Sequence, residues 1–243
     1  MEQHERLAYI DCASGASAQM FLGALISAGF LEADLRDLIA PLEAAGARPE
    51  LTVRQVAKGP VAAVHVRVGG AFPAPRPRLA DMAGLVRSAQ LPPAVVTAAT
   101  AVMGRMVNAA ARHAAVRPQD LVLDEAGALG AVVGSVGVVG ALVQLGVRRV
   151  YASPVNAGKA DPMVTALLAG VPTYSDSPGV PLVTPLGAAL LAELVAERPA
   201  SPPFAGGDIG HGAGERDLPR PNVMRCFLGY GTIPAPVNVP KPE

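Results

Sequence analysis

Apolar residues recur along the chain with two spacings, every second position and every third or fourth, and each change of spacing predicts a change of element. Leu7 to Asp11 is a short apolar run that reads as a buried strand, Cys12 to Ser17 is a loop of small residues, and Ala18 to Ala28 is an apolar helix. From Glu32 to Ala45, Leu35, Leu38, Ile39 and Leu42 recur at helical spacing behind acidic residues that suit a helix start. Pro41 is expected to kink or shorten this helix and Gly46 to end it. Leu51 to Val56 and Val61 to Val68 alternate apolar with polar or small side chains across Lys58, Gly59 and Pro60, which predicts an antiparallel hairpin. The Pro-rich stretch Phe72 to Pro77 breaks regular structure. Two helices, Leu79 to Ala89 and Pro93 to Ala115, then form a helical hairpin, with Pro93 in a first-turn position.

The second half begins with Ala126 to Val147, which has no charged residue and is long enough to span a bilayer. Gly127, Gly130, Gly134, Gly137 and Gly140 lower its hydrophobicity, so it reads instead as a tightly packed central helix and no membrane is expected. Arg148 to Ala152 reads as a strand, and Ser153 to Pro162 as a loop in which Asn156, Gly158, Lys159 and Asp161 invite chemistry. Pro185 to Ala196 is a helix with Thr184 as its cap, and Pro199 to Pro203 is a connector. A Gly-rich loop, Gly206 to Gly214, precedes a last strand from Asn222 to Leu228, and the proline-bearing end from Ile233 is extended and mobile. Strands alternate irregularly with helices. The expected architecture is therefore one mixed α/β domain over 1–230 with a glycine-rich central helix, and a flexible Pro-rich tail over 231–243.

Composition narrows the function classes. Hydrophobic residues are 51% of the 243 and charged residues 16%, a globular balance. Twenty Lys and Arg offset twenty Asp and Glu, which removes the long-range field that would gather nucleic acid or an anionic membrane. Cys12 and Cys226 form no CxxC pair and fit a reducing, cytoplasmic setting. His4, His65, His113 and His211 are scattered, with no spacing that makes a histidine metal site.

Three constellations carry candidate chemistry. Asp11 to Ser17 precedes a helix, so small side chains let backbone N–H groups approach a phosphate or carboxylate beside Asp11; the simpler alternative is a tight turn with Ser17 as cap. Cys12 has no histidine neighbour in sequence to activate it and reads as a small buried thiol. Asp124 and Glu125 stand before the glycine-rich helix, where carboxylates bind a cation, act as acid and base, or simply complement the helix dipole. The glycines that follow fall largely on one face, open to a neighbouring helix or a flat ligand. The third group is His211, Gly212, Gly214, Arg216, Asp217, Arg220, Asn222 and Arg225. There Gly-x-Gly frees backbone for an anion and arginines pair with it, unless the segment is a solvated turn held by Arg216 and Asp217.

The order of these segments matches a known pattern. Asp11, Ser14, Gly15 and Met20 follow a D-x-x-S-G-x-x-G-D-M opening, and Leu79, Ala80 and Asp81 the start of a following helical region. Glu125, Gly127 and Ala128 match the centre of an H-x-H-E-x-G-A-x-D motif, and Tyr151 to Pro154 a Y-A-S-P strand. Thr184, Pro185 and Gly187 match a T-P-x-G helix start, while Gly212 to Asp217 with Arg220 to Val223 match G-A-G-x-R-D and R-P-N-V. Over nearly its whole length the chain thus resembles the N-terminal part of the LarC family of nickel-pincer cofactor biosynthesis proteins. The resemblance implies a cytosolic protein with an anionic, nucleotide-like substrate. Family members insert nickel into a pyridinium bis-thiocarboxylate mononucleotide, using CTP and a divalent cation.

Departures from that pattern are concentrated at metal-donor positions. Ala18 and Gln19 stand for Gly and Asp, Val122 and Asp124 for two histidines, Gly130 and Gly134 for two aspartates, and Arg76 and Arg78 occupy a region that is usually His-rich. The stretch between Asn156 and Val171 is shorter than the pattern, and the family's C-terminal region, which would carry the CTP site, is not matched. Val, Gly and Gln offer nickel or a divalent cation no comparable donor. The expectation is therefore an enzyme of lyase or cyclase type that binds an anionic or heterocyclic small molecule and works without a metal cofactor, by cyclisation or elimination. Glu125 or Asp11 is its acid or base, Arg216 and Arg225 its anion clamps, and Ser14 with the following amides a second anion contact. Gly15, Thr184, Gly212, Gly214, Asp217 and Asn222 complete the expected pocket. Two alternatives stay open: nickel insertion with ligands or the CTP-binding region supplied by a partner, and a non-catalytic scaffold or binding subunit. A homo-oligomer or a partner subunit is compatible with each.

Overall fold

The computed structural model describes residues 4–176, 179–204 and 206–232. Its elements in chain order are β1 (His4–Asp11), α1 (Ala18–Ser27), α2 (Glu32–Ala44), β2 (Arg48–Lys58), β3 (Val61–Ala71), α3 (Leu79–Ser88), α4 (Pro93–His113), a 3-10 turn at Pro118–Asp120, and α5 (Glu125–Gln144). There follow β4 (Val147–Ala152), β5 (Val155–Asn156), α6 (Pro162–Leu167), β6 (Thr173–Tyr174), α7 (Pro185–Leu194), β7 (Val195–Glu197), β8 (Asp208–Ala213) and β9 (Val223–Thr232). The result is the expected mixed α/β domain. The tail expected from 231 lies outside the described residues, apart from Gly231 and Thr232, which extend β9.

The main sheet has the order β2-β3-β8-β9-β1-β4-β7. β1 lies in its interior, parallel to β4 and antiparallel to β9, and its apolar run is buried on both faces. Ala8 and Ile10 join the main core, while Leu7 and Tyr9 join a second cluster with Tyr151, against which Phe204 and Phe227 pack. The Tyr9 hydroxyl donates to the carbonyls of Pro199 at 3.3 Å and Ala200 at 3.2 Å, so the expected connector crosses that face.

The glycine-rich α5 is the hub of the helical layer. Its residues from Ala128 to Leu142 are buried apart from Gly130, and burying each Val or Leu contributes about 1.5–3 kcal/mol. A methyl group on Gly137 would stand 3.0 Å from Leu22 Cδ2 and 3.1 Å from Leu35 Cδ1, so the absence of side chains is what lets α1 and α2 lie this close. Among the described residues two helices, α4 and α5, are long and apolar enough to cross a membrane by length and composition, but α5 is largely buried inside the domain, as a core helix is.

Four expectations are corrected. The segment read as a loop from Gly206 to Gly214 contains β8, hydrogen-bonded to β9 from Asp208 to Ala213. Its glycines serve packing: a side chain on Gly210 would overlap α1 at Ala24 and Ala28, and one on Gly212 would overlap the Met20 carbonyl. The Ser153 to Pro162 loop holds the short strand β5, and α6 begins at Pro162, where Asp161 and a first-turn proline form a helix start that periodicity over so few residues does not show. The helix expected to reach Ala196 stops at Leu194, because Val195 and Glu197 pair with β4 at the sheet edge. Finally, Pro41 neither ends nor shortens α2, which runs on to Ala44 with Leu42 buried.

Candidate functional site

The carboxyl ends of β1 and β4 point toward one place, where the first turns of α1, α5, α6 and α7 come together. Each of these helices starts on a side-chain cap. Ser17 Oγ accepts from the Met20 N–H at 3.2 Å, Asp124 Oδ1 from Gly127 at 2.6 Å, Asp161 Oδ1 from Val164 at 2.8 Å, and Thr184 Oγ1 from Gly187 at 3.1 Å. The loop between β1 and α1 is tied to the segment before α7 by backbone bonds from Ala16 N–H to the Leu182 carbonyl (3.1 Å) and from Thr184 N–H to the Ala16 carbonyl (2.9 Å).

These helix starts surround two adjoining cavities. One, about 330 Å³, has mostly apolar walls from Met106, Leu123, Gly130, Met163 and Leu186. The other, about 360 Å³, has more polar walls, with Ser17, Asp161, Glu215, Arg216 and Asn222 among apolar residues such as Leu182 and Val183. Gln19, Thr184 and Pro185 line both, so the two are halves of one groove. The starts of α1 and α7 and the Arg216 side chain bring positive polarity to this groove, and the carboxylates of Asp161 and Glu215 stand in the same wall.

Of the residues expected from sequence, Thr184, Gly214, Arg216 and Asn222 stand in the groove wall. Asn222 Nδ2 donates to the Arg216 carbonyl at 2.9 Å, and Lys58 Nζ reaches the same carbonyl at 3.4 Å, so the loop carrying Arg216 is held from two sides. No carboxylate among the described residues pairs with the Arg216 guanidinium, which is exposed. Glu125 is exposed in the first turn of α5, next to the wall residues Ala126 and Gly127. The other residues lie outside the walls. Asp11 is buried and paired with Arg225, whose Nε donates to Asp11 Oδ2 at 2.8 Å, while Asp11 Oδ1 accepts from Ala13 N–H at 2.9 Å. Ser14 Oγ donates to the Pro221 carbonyl at 3.0 Å, and Gly15 takes φ +86 against Leu182. Asp217 pairs with Lys58 at 2.8 Å, a contact that holds its carboxyl below the usual range.

Sequence reasoning missed Gln19, Met106 and Met163 as wall residues, while Asp161, named for its loop, does stand in the wall. The signal for Gln19 lay in the departure from the family pattern: Gln19 and Gly130, two positions where that pattern has aspartate, line the same half of the groove. Gly134 lies one turn further along α5, and a methyl there would stand 2.9 Å from Ala18 Cβ and 2.8 Å from Leu186 Cδ2. The methyl at position 18 thus fills space next to the position that lost its side chain. Among the described residues no three His, Cys, Asp or Glu side chains gather as a metal-donor group.

Cys12 sits under this loop, fully buried. Burial pushes its thiol up to about 12, with nearby Arg198 opposing and Asp11 reinforcing the shift. It is a protonated thiol, inert as a nucleophile.

Known proteins share this sequence over nearly its full length. The model of the family described as nickel insertion protein matches residues 8–241. The chain belongs to the nickel insertion protein family. A relative in Thermomicrobium roseum is 36% identical over 239 residues, which cover 92% of this chain and 58% of the relative. The pyridinium-3,5-bisthiocarboxylic acid mononucleotide nickel insertion protein of a Nocardioides species is 35% identical over 236 residues, 91% of this chain and 59% of the relative. Its counterpart in Desulfitobacterium hafniense is 31% identical over 240 residues, 92% and 58%. The chain therefore spans less than two thirds of the length of these relatives. No solved structure matches it.

Membership in a nickel insertion family overturns the expectation of metal-independent cyclisation or elimination, the lyase or cyclase assignment, and the exclusion of nickel. The error lay in equating loss of protein donors with loss of the metal.

Proposed function

We propose that this chain is the substrate-holding portion of a nickel insertion protein, and that the groove receives a pyridinium bis-thiocarboxylate mononucleotide. Such a substrate carries two thiocarboxylate sulfurs on one ring. Sulfur is a soft donor that suits nickel. With nickel as cargo and the substrate supplying donors, the protein's task is to hold a flat ring and an anionic tail, and a cluster of protein ligands is not required for that task.

The single observation that supports this reading is that the groove grades from a strongly apolar half to a more polar one, the two sharing Gln19 and Thr184. The ring fits the half walled by Met106, Met163, Leu123 and Leu186, where a glycine-lined helix face admits a flat group. Sugar and phosphate fit the half with Ser17, Thr184, Asn222 and Arg216. Arg216 is the phosphate contact because its guanidinium has no carboxylate partner among the described residues, whereas Arg225 is engaged by Asp11. Glu125 is the acidic group at the apolar end. Two free, buried thiols are compatible with a reducing, cytoplasmic setting. The additional region that the longer relatives carry, or a partner subunit, completes the activity.

The test is calorimetric titration with pyridinium-3-carboxylate mononucleotide and with the nucleoside that lacks its phosphate. Wild-type chain is expected to favour the mononucleotide. Arg216→Ala should lower that affinity roughly 10- to 100-fold, the worth of a hydrogen bond to a charged group, and leave the nucleoside unchanged. A wild-type chain that binds neither compound removes the substrate assignment; equal loss for both compounds removes only the role of Arg216.

A further inference from the structure

The outer edge of β2 has no strand partner among the described residues, since β2 ends the sheet and pairs only with β3; the Arg36 side chain touches that edge at one carbonyl and must swing aside for a strand to add. An open strand of this length is a template for another strand. Its backbone directions are fixed by two contacts. Arg36, from α2, reaches the Leu51 carbonyl at 3.5 Å from outside the sheet, and Gly70 of β3 lies against the Arg48 carbonyl and the Glu50 N–H from inside it. Odd-numbered residues of β2 therefore turn their N–H and C=O groups outward. Even-numbered residues Glu50, Thr52 and Arg54 are exposed on the sheet face opposite the helices, and neither Glu50 nor Arg54 has an ion-pair partner among the described residues.

We propose that β2 forms a two-fold interface, pairing antiparallel with β2 of a second copy about Thr52. Outward-facing residues must meet outward-facing residues, which leaves only a few registers. Centring on Leu51 sets Arg48 opposite Arg54, centring on Val53 sets Arg48 opposite Lys58, and centring on Glu50 or Arg54 sets that residue opposite itself, each of which puts like charges together; centring on Gln55 pairs no opposite charges, and centring on Pro49 pairs only three residues of β2. Centring on Thr52 alone sets Glu50 opposite Arg54 on both sides of the axis. It also places Leu51 opposite Val53, apolar against apolar, on the side that packs against the core. Self-complementary charge about one residue is the signature of an isologous contact. Pro49, which lacks an N–H, falls toward the end of the ladder, where the loss is smallest. The hairpin of β2 and β3 also carries Lys58 to the Arg216 carbonyl, so pairing its free strand steadies the arm that holds the Arg216 loop.

Sedimentation of the purified chain tests this directly. A concentration-dependent dimer is expected. Glu50→Arg or Arg54→Glu each creates two like-charge cross-strand pairs and should weaken the dimer about tenfold or more, while the double exchange returns it to near the wild-type value. Thr52→Cys should form an intermolecular disulfide under mild oxidation, because residues facing each other in such a pair sit at disulfide distance, and Arg54→Cys should not. A wild-type chain that sediments as a monomer at every concentration overturns the proposal. So does a double exchange no tighter than the single reversals, or cross-linking of Arg54→Cys in preference to Thr52→Cys.

Discussion

At the scale of single residues, what a side chain does here depends on the neighbour the fold gives it. Arg225 and Asp11, 214 positions apart, neutralise one another at the end of β1, whereas Arg216, of the same chemistry, stands in the groove wall with no carboxylate partner among the described residues. Gly15 shows the same dependence. Its φ of +86 suits only glycine, and a methyl group would overlap the Leu182 carbonyl that receives the Ala16 N–H. Gly15→Ala is therefore expected to destabilise the chain by about 2–4 kcal/mol, read from urea unfolding, through backbone strain and loss of the tie between the α1 and α7 starts. A midpoint unchanged from wild type would mean that the loop is not the clasp described here.

At the scale of elements, local pattern and tertiary demand mostly agree, and the exceptions are instructive. β8 was hidden because glycines at Gly210 and Gly212 read as loop, although they are there to let α1 approach the sheet. α2 keeps its helix through Pro41, since the buried Leu35, Leu38, Ile39 and Leu42 hold it on the core. Pro41 still deprives the helix of one internal N–H donor. Pro41→Ala should consequently raise stability by about 1–3 kcal/mol, seen as a higher denaturation midpoint with an unchanged slope. A lower midpoint would show that the proline's ordering of the unfolded chain outweighs the missing bond.

At the scale of the whole molecule, burial of two thiols links stability to alkaline pH. Burial pushes both Cys12 and Cys226 up to about 12, from an ordinary value of 9.0. Between those limits the unfolded chain releases protons that the folded chain retains. The unfolded state then binds fewer protons, and unfolding becomes easier as pH rises from about 9 toward 12. Stability measured across that range should fall, and it should fall less in a Cys12→Ser variant referenced to its own value at neutral pH. Neither thiol should react with an aromatic disulfide reagent in the folded chain at pH 8, and both should react after denaturation. Prompt reaction of Cys12 in the folded chain would contradict its buried placement.

The sequence by itself determined the class of fold, the order of most elements, the packing role of the glycine-rich helix and the family pattern, because these rest on short-range periodicity and on residue types in order. It also offered Thr184, Gly214, Arg216 and Asn222 as candidates, and these line the groove. Only tertiary structure decided which charges were spent in pairing, which glycines served packing, and that Gln19, Asp161, Met106 and Met163 share one groove. Those outcomes arise where segments far apart in the chain meet around the carboxyl ends of β1 and β4, and no spacing within a segment encodes such a meeting.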